Sequence, residues 1–435
     1  MINNKSNILP IVVMYLLFFM IAFVTNLCNP MAVIVKNNFA MSNFAAQLGN
    51  AANFIAYAAM GIPAGMLLKK IGYRKTALVA ILVGFVGVFL QYMSGWSTIQ
   101  SFWVYLIGAF TAGFCMCMLN TVVNPMLNTL GGGGNKGNQL VQFGGVCNSL
   151  AAVLVTIVMG SLIADATKAQ ISDATPALMI ALGVFAFAFL VLLLVKIPEP
   201  ELEISNNNTK VTNGKKYSAF SFRHFKLGIL AIFLYMGVEV GVPTYVMQYL
   251  TTAPDAATPG LGINASIVGM IVAVYWLLML VGRLLGGMIG GKVSSRVQIM
   301  GVSILCLVLV LLGMFLPNDV MVKMPGIDWA TLTVMTAQVP VGIFALILVG
   351  LCTSVMWGGI FNMAVEGLGK YTSIASGAFM TMVCGGGILI PLQGKLADVF
   401  GNFQMSYVVV LACATYIFFY ALVGSKNVNK DIPTE

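Results

Sequence analysis

The sequence predicts an all-α polytopic membrane protein with twelve transmembrane helices in two pseudo-symmetric six-helix bundles. Hydrophobic residues make up 59% of the 435 positions and charged residues only 8%, whereas soluble domains carry about 25% charged residues. Apolar runs of about 20 residues, long enough to cross a bilayer, recur along the whole chain. A β-barrel would instead show short segments of alternating hydrophobicity. The two halves also repeat the same features.

Apolar runs that are broken by charge, glycine or proline define the spans, which are numbered here in chain order. Spans 1 to 6 lie at residues 8–35, 44–68, 75–94, 99–129, 138–163 and 175–196. Spans 7 to 12 lie at residues 223–250, 264–289, 296–316, 338–367, 371–393 and 403–424. The first run is too long for a signal peptide and lacks a cleavage site, so we expect it to remain as span 1.

A polar segment separates the two sets of spans. The stretch "PEPELEISNNNTKVTNGKKYSAFSFRHF" is rich in charge and in asparagine and poor in apolar residues, which is typical of a flexible linker. We therefore predict an N-terminal bundle at 1–197, a cytoplasmic linker at 198–222, and a C-terminal bundle with a short tail at 223–435.

The positions of the basic residues predict the orientation in the membrane. The formal net charge is +9, but the charges lie in short loops between apolar runs, which indicates membrane topology rather than nucleic-acid binding. With the N-terminus inside, the outer side holds few of the 22 Lys and Arg residues, namely Lys36, Lys168, Lys323 and Lys395. We therefore expect both termini to be cytoplasmic.

The two halves carry matching motifs. "GMLLKKIGYRKT" at 65–76 follows span 2, and "GRLLGGMIGGKVSSR" at 282–296 follows span 8. Span 4 places Asn124 before Gly131, and span 10 places Asn362 at the same distance before Gly369. Such a repeat is what a transporter needs if two similar bundles rock about a site near the membrane midplane.

Three motifs, in the right order and in the right spans, point to a known family. They are "PAGMLLKKIGYRK" at 63–75, "NTVVNP" at 120–125 in span 4, and "GGGILIPLQGKLADVFGN" at 385–402 across span 11. With them the chain resembles the major facilitator superfamily and, within it, the fucose–galactose–glucose:proton symporter family. Lys69 stands where the superfamily usually has an acidic residue after span 2.

This resemblance implies a multi-pass protein of the bacterial inner membrane that binds a small-molecule sugar and moves it with protons. It also shows where the chain departs from the family. Asn29 in span 1 and Asn120 in span 4 stand where the sugar symporters carry acids. The sugar-binding architecture is therefore expected to be kept, whereas the usual proton-coupling groups are replaced by amides.

Amide side chains form the predicted substrate site. Asn120, Asn124 and Asn128 recur every four residues and so share one face of span 4. Amides donate and accept hydrogen bonds, as sugar hydroxyls do, and aromatic rings offer apolar faces to a sugar. The predicted substrate-binding residues are Asn29, Asn120, Asn124, Gln142, Asn362, Trp357, Tyr275 and Trp276. The alternative is that the amides join neighbouring helices and that the tryptophans are interface anchors.

Glu239 is the one carboxylate deep in a predicted span, and we expect it to be the proton-coupling residue, because acids inside membranes are commonly functional. A hydrogen-bonded contact between helices is the alternative. Arg283 and Glu366 fall near the inner ends of spans 8 and 10. We expect gating or structural roles for them and for the basic residues after span 2, Lys69, Lys70 and Arg74.

The sequence favours a secondary transporter that imports a monosaccharide by proton symport with alternating access. Import of sialic acid or another acidic sugar would require a cation in the middle of a span, and none is expected there. Sodium-coupled or uncoupled sugar transport and drug export remain further alternatives. An enzyme is not expected, because catalytic and nucleotide-binding motifs are absent. With a lone His224 and no CxxC pair, no metal or other cofactor is expected. The expected partners are the sugar, a proton or sodium ion and the lipid bilayer, without nucleic acid, and the protein is expected to be a monomer.

Overall fold

A computed structural model describes residues 8–39, 48–132, 134–162, 170–199, 217–290, 292–328, 333–429 and 431–434. In this part of the chain, ten helices are long and apolar enough to cross a membrane. One of these helices, Leu48–Met93, contains two spans. A further helix, Gly134–Leu162, packs beside spans 1 and 8 as span 5. The predicted twelve-span, two-bundle architecture is therefore confirmed for the described residues.

In the first half, spans 2 and 3 appear as one long helix with a sharp break. Gly72 lies at the break with φ 84° and ψ 176°, a conformation that residues with a Cβ rarely adopt. This glycine is part of the motif between the two predicted spans, and it turns the chain back into the membrane. The helices of this half are Ile8–Asn38, Leu48–Met93, Phe102–Leu130, Gly134–Leu162 and Thr175–Leu194.

In the second half, spans 7 and 11 are each broken in two. The helices of spans 7 and 8 are Arg223–Glu239, Gly241–Thr251 and Ala265–Gly290. Those of spans 9 to 12 are Ser295–Phe315, Val341–Val365, Thr372–Thr381, Gly385–Phe400 and Val408–Phe419. Discontinuous helices in transporters commonly lie next to the substrate and ion sites.

The break in span 7 follows from one proline. Pro243 has no backbone N–H, so it cannot donate to the carbonyl of Glu239, four residues earlier. The hydroxyl of Tyr275 donates to that carbonyl instead, at 3.0 Å. Glu239 is therefore held at the end of a half-helix, inside the protein rather than towards lipid.

Between spans 9 and 10 the chain forms a β-hairpin, which the sequence analysis did not anticipate. Strand β1, Met321–Asp328, pairs antiparallel with β2, Thr333–Pro340, so that Met321 lies opposite Pro340. Gly326 packs against Ile267 at the start of span 8. The hairpin marks one end of the molecule, called here the hairpin end; the opposite end, where spans 2, 4, 6, 8 and 10 finish, is called the linker end.

At the linker end, the start of the predicted linker is tied to the first bundle. The carboxylate of Glu199 accepts hydrogen bonds from the backbone N–H groups of Tyr73 and Arg74, at 2.5 and 3.0 Å, and so caps the start of span 3. The Arg74 guanidinium donates to the carbonyls of Leu192 and Leu193, at 2.9 and 2.7 Å. These contacts join the loop after span 2 to the end of span 6. The linker residues 200–216 lie outside the described part.

Candidate functional site

A polar cavity lies between the two halves, near the middle of the spans. Spans 1, 2, 4 and 5 of the first half and spans 7, 8, 10 and 11 of the second line it. Its polar neutral side chains are Thr25, Asn26, Asn50, Tyr57, Asn120, Gln142, Asn148 and Ser354. Its aromatic side chains include Phe18, Phe54, Trp276 and Trp357, and its charged residues are Glu239 and Arg283.

The structure brings five of the predicted substrate- and proton-binding residues together around this cavity: Asn120, Gln142, Trp276, Trp357 and Glu239. Asn120 donates to the Tyr57 hydroxyl at 3.1 Å, and this pair presents an amide and a phenol to the same space. Gln142 donates to the carbonyl of Val355 in the other half at 3.2 Å. These side chains can exchange hydrogen bonds with a hydroxylated ligand without placing a net charge beside it.

Three of the predicted substrate contacts do not line this cavity, and their contact with substrate stays a prediction. Asn124 is fully buried on the linker-end side of the cavity, where its Oδ1 accepts a hydrogen bond from the indole N–H of Trp357 at 3.2 Å. Asn362 donates to Ser295 at 3.0 Å and is farther towards the linker end. Tyr275 is buried behind Glu239, bonded to its carbonyl. The side chain of Asn29 lies outside the described residues.

The two halves are closed against each other at the linker end by a set of neutral hydrogen bonds, called here the amide gate. Spans 4 and 5 of the first half meet spans 8 and 10 of the second. The gate bonds are Trp357 to Asn124 (3.2 Å), Asn128 to Asn362 (3.4 Å), Gln139 to the carbonyl of Gly287 (2.9 Å) and Gln142 to the carbonyl of Val355 (3.2 Å).

Glycines allow the two sides of the gate to approach. A Cβ on Gly358 of span 10 would lie 2.8 Å from the Gln142 amide nitrogen, which is too close for van der Waals contact. On the other side of the gate the cavity continues to Asn50, close to the start of the span 2 helix at Leu48. The cavity is therefore closed towards the linker end and extends towards the hairpin end.

Arg283 does not lie at the membrane edge as the sequence predicted, and the expectation that no cation reaches the middle of the spans is wrong. Its side chain is 6% exposed, and its Nη2 lies 3.5 Å from Glu239 Oε1. Its Nη1 donates across to span 5, to the carbonyl of Gly145 at 2.7 Å and to the hydroxyl of Ser149 at 2.9 Å. The guanidinium thus contacts both halves of the protein.

The close approach of Arg283 to span 5 depends on Gly145. A Cβ at this glycine would lie 2.9 Å from Arg283 Cδ and 3.1 Å from its Nε, so a larger residue would displace the arginine. The Nε itself donates to the carbonyl of Ser354 at 3.3 Å, and Nη1 also reaches Asn148 Oδ1 at 3.4 Å. Nearly all the donor capacity of Arg283 is occupied by the protein.

The remaining charged residues named from the sequence lie at the linker end, away from the cavity. Lys69 and Lys70 are exposed, and Arg74 holds the carbonyls at the end of span 6. Glu366 is exposed, and its carbonyl pairs with His224 Nε2 at 3.0 Å. Their positions are those of loop and helix-end contacts, and a gating role for them stays a prediction. Among the described residues, no group of His, Cys, Asp and Glu side chains could hold a metal ion.

Sequence reasoning missed several cavity residues. Asn50 and Tyr57 are seven residues apart in span 2, which places them on one helix face. This spacing is the signal from which a polar face of span 2 could have been predicted. Asn148 sits one turn after Gly145 on span 5. By contrast, Thr25 and Asn26 of span 1, which line the cavity as well, lie one turn before Asn29, and the sequence marks them as neighbours of that predicted site residue.

Comparisons with known proteins agree with this architecture. The sequence model of the Major Facilitator Superfamily matches residues 14–391. A glucose/galactose transporter of Brucella abortus biovar 1 (strain 9-941) is 27% identical over 95% of this chain and 93% of its own length. An L-fucose-proton symporter of Escherichia coli (strain K12) is 23% identical over 98% of this chain and 95% of its own length.

A solved structure shares the fold. The crystal structure of the transporter FucP in the outward conformation superposes with a TM-score of 0.75, at 21% identity, over 97% of this chain and 100% of that one. The predicted resemblance to the superfamily and to its sugar symporters is confirmed, and with it a transporter rather than an enzyme. The chain belongs to the Major Facilitator Superfamily.

Proposed function

We propose that the protein imports a neutral monosaccharide across the bacterial inner membrane in symport with protons. The observation that carries this proposal is the cavity itself, in which amides, hydroxyls and aromatic rings surround one carboxylate, Glu239. The relatives named as a glucose/galactose transporter and as an L-fucose-proton symporter support both the substrate class and the coupling ion.

The chemistry of the cavity suits a sugar. Gln142 and Asn148 can each donate to one hydroxyl and accept from another, and Asn120 can accept from a hydroxyl through its Oδ1. Trp276 and Trp357 offer apolar faces to the C–H groups of a pyranose ring. The charges of Glu239 and Arg283 offset each other at 3.5 Å, so the cavity carries no net charge that would favour an ionic substrate.

Arg283 also makes an acidic sugar a second candidate, because a guanidinium is the usual partner of a carboxylate. However, its Nη1 and Nε groups already donate to acceptors on spans 5 and 10, and its Nη2 faces Glu239. A substrate carboxylate would therefore have to displace these partners and would meet the carboxylate of Glu239. This arrangement favours the neutral sugar.

Glu239 is proposed as the proton-binding residue. The amide of Asn120, where sugar symporters of the family carry an acid, does not ionise near neutral pH, and Glu239 is the acid among the described cavity residues. When protonated, Glu239 is neutral and can donate a hydrogen bond; when ionised, it pairs with Arg283. Coupling by sodium, or no coupling, is the alternative that the experiment below separates.

The proposed orientation places both termini and the linker end in the cytoplasm. The amide gate then closes the cytoplasmic side, and the cavity opens to the outside. Transport follows if the bundles at 1–197 and 223–435 rock about the cavity while the linker at 198–222 joins them. Opening the amide gate would release the sugar inwards.

The test is uptake by purified protein in proteoliposomes. Counterflow of radiolabelled D-glucose, D-galactose and L-fucose reports sugar movement, with sialic acid as a competitor for the acidic alternative. An imposed pH gradient should drive accumulation in wild type, whereas Glu239→Gln should keep counterflow and lose accumulation. Glu366→Gln, which changes an exposed acid, is the matched control.

Three results would contradict the proposal. If none of the three sugars undergoes counterflow, the substrate class is wrong. If wild type accumulates sugar with a sodium gradient only, or equilibrates sugar without accumulating it under a proton gradient, the coupling is wrong. If Glu239→Gln still accumulates sugar when only a proton gradient is supplied, the proton site lies elsewhere.

A further inference from the structure

Arg283 is the charged side chain through which the second half holds the first. It belongs to span 8, yet its Nη1 donates to Gly145, Ser149 and Asn148 of span 5. Its Nη2 faces Glu239, which is in the same half as Arg283. Any movement that opens the amide gate must separate span 5 from span 8 and so must break the bonds of Nη1.

We propose that Arg283 is a positioning residue that interlocks proton binding at Glu239 with the opening of the linker end. This proposal rests on the proposed function, because it assigns the step that prevents proton leakage during sugar symport. A symporter must not change conformation with the proton alone bound. Arg283 supplies that restriction through its two alternative sets of partners.

With Glu239 ionised, Arg283 keeps a carboxylate partner within its own half when spans 5 and 8 separate. The empty, unprotonated carrier can therefore open and close. With Glu239 protonated, the acceptors on span 5 are the strong partners left to the guanidinium. Separation would then leave a buried cation with neither an anion nor the neutral span 5 acceptors that satisfy it in the closed state, which is costly, so the protonated, sugar-free carrier stays closed at the linker end.

A bound sugar lifts this restriction. Arg283 lines the cavity beside Gln142 and Asn148, so sugar hydroxyl oxygens can accept from its Nη1 in place of Gly145 and Ser149. The carrier that holds both proton and sugar can then release span 5 and open inwards. The interlock therefore blocks the form that carries the proton alone, which is the form through which a symporter would leak protons.

Few charged or titratable groups other than Arg283 lie near the Glu239 carboxylate. Among the described residues, the titratable and charged groups that face it are Arg283 and Tyr275 of span 8 and Tyr235 of span 7 itself. A tyrosine hydroxyl ionises only near pH 10, and Tyr275 is bonded to the Glu239 carbonyl and to Thr353. The charge that changes partners when Glu239 gains a proton is therefore that of Arg283.

The first test measures proton leak without any sugar, so it needs no identified substrate. Proteoliposomes carrying a pH-sensitive dye receive an inside-negative potassium diffusion potential, and the rate of internal acidification is recorded. Ser149→Ala removes one span 5 acceptor and should raise the sugar-free leak about tenfold, which corresponds to about 1.4 kcal/mol. Ser303→Ala, a buried serine of span 9, is the matched control and should leak as little as wild type. Equal leak for the two variants would overturn the proposal.

The second test uses rescue, which a merely structural role of Ser149 would not produce. Glu239→Gln mimics the protonated acid, so Arg283 should hold span 5 and stop the return of the empty carrier. Zero-trans efflux of sugar should then be slow while counterflow persists. Adding Ser149→Ala should speed efflux about tenfold; a double variant as slow as Glu239→Gln alone would refute the interlock. Wild-type counterflow, measured in the same vesicles, separates this failure from a failure of the proposed sugar transport.

Discussion

Asn120 and Asn124 lie one turn apart on the same face of span 4, but the structure gives them different roles. Asn120 lines the cavity, whereas Asn124 is fully buried and bonded across the two halves to Trp357. Replacing each by alanine should therefore affect two different equilibria. Asn120→Ala should weaken sugar binding, and Asn124→Ala should weaken the closed gate.

The expected magnitudes separate the two variants. One neutral hydrogen bond contributes about 1 kcal/mol, which is about fivefold in an equilibrium constant. Asn120→Ala should lower sugar affinity by about that factor. If the gate is closed in about nine-tenths of molecules, a fivefold shift caused by Asn124→Ala leaves about two-thirds closed. The apparent affinity from the hairpin end then falls only about 1.4-fold, because it scales with the competent fraction.

The assay combines binding with a distance measurement. Spin labels at Lys136 and Lys292, both exposed at the linker end on opposite halves, report the opening of the gate. Asn124→Ala should enlarge the long-distance population and nearly preserve affinity, and Asn120→Ala should do the reverse. The reasoning is refuted if Asn124→Ala leaves the distances unchanged and weakens binding fivefold, because Asn124 would then contact sugar as the sequence alone predicts.

Two further predictions concern hydrogen bonds that hold neighbouring helices together. Tyr275→Phe should leave the buried carbonyl of Glu239 without a donor and cost about 1–3 kcal/mol, seen as a lower melting temperature in detergent. Adding Pro243→Ala restores a backbone N–H and should recover part of that loss; no recovery would contradict the account of the span 7 break. Arg74→Ala should also lower the melting temperature, because it loses two bonds to the end of span 6. Lys75→Ala, an exposed neighbour, should have no such effect, and an equal loss in both would contradict the assigned role of Arg74.

The twelve spans could be predicted because length and apolarity are local properties of the chain. The break at Gly72 was also visible, as a glycine in a basic motif between two apolar runs. The β-hairpin formed by strands β1 and β2 was missed because the segment is too short to span the membrane and its apolar residues do not recur with a helical period. Half of the residues of its second strand, "TVMTAQVP", are β-branched, which favours a strand, and that signal was available.

The amide stripe of span 4 shows the limit of a periodicity argument. A four-residue period places Asn120, Asn124 and Asn128 on one face, and the structure confirms that this face meets the second half. The period does not, however, fix how far along the span each residue meets the cavity. The helices that pack against this face determine which residues line the cavity and which form the amide gate. Trp357 and Asn362 on span 10 bond to Asn124 and Asn128, towards the linker end, and leave Asn120 at the cavity.

Arg283 was misplaced for a related reason. It lies seven residues before the end of the helix at Gly290, about 10 Å from that end at 1.5 Å per residue. A position near the end of an apolar run indicates a charge that reaches the membrane surface, since long basic side chains usually extend that way. Here the side chain extends inwards because Gly145 leaves room for it and because span 5 offers acceptors that satisfy it.

The composition of the interface explains why so apolar a chain contains so many amides. Each bond of the amide gate is neutral, so breaking it costs little once water reaches the separated groups. Ion pairs at the same places would hold the gate more firmly and would strand charges in the membrane when it opened. A gate made of weak, replaceable bonds leaves its two states close in free energy, and a few kcal/mol from one site can then tilt the balance. Glu239 and Arg283 meet where that gate borders the cavity. Binding of a single proton there can supply the free-energy difference between the closed and open states.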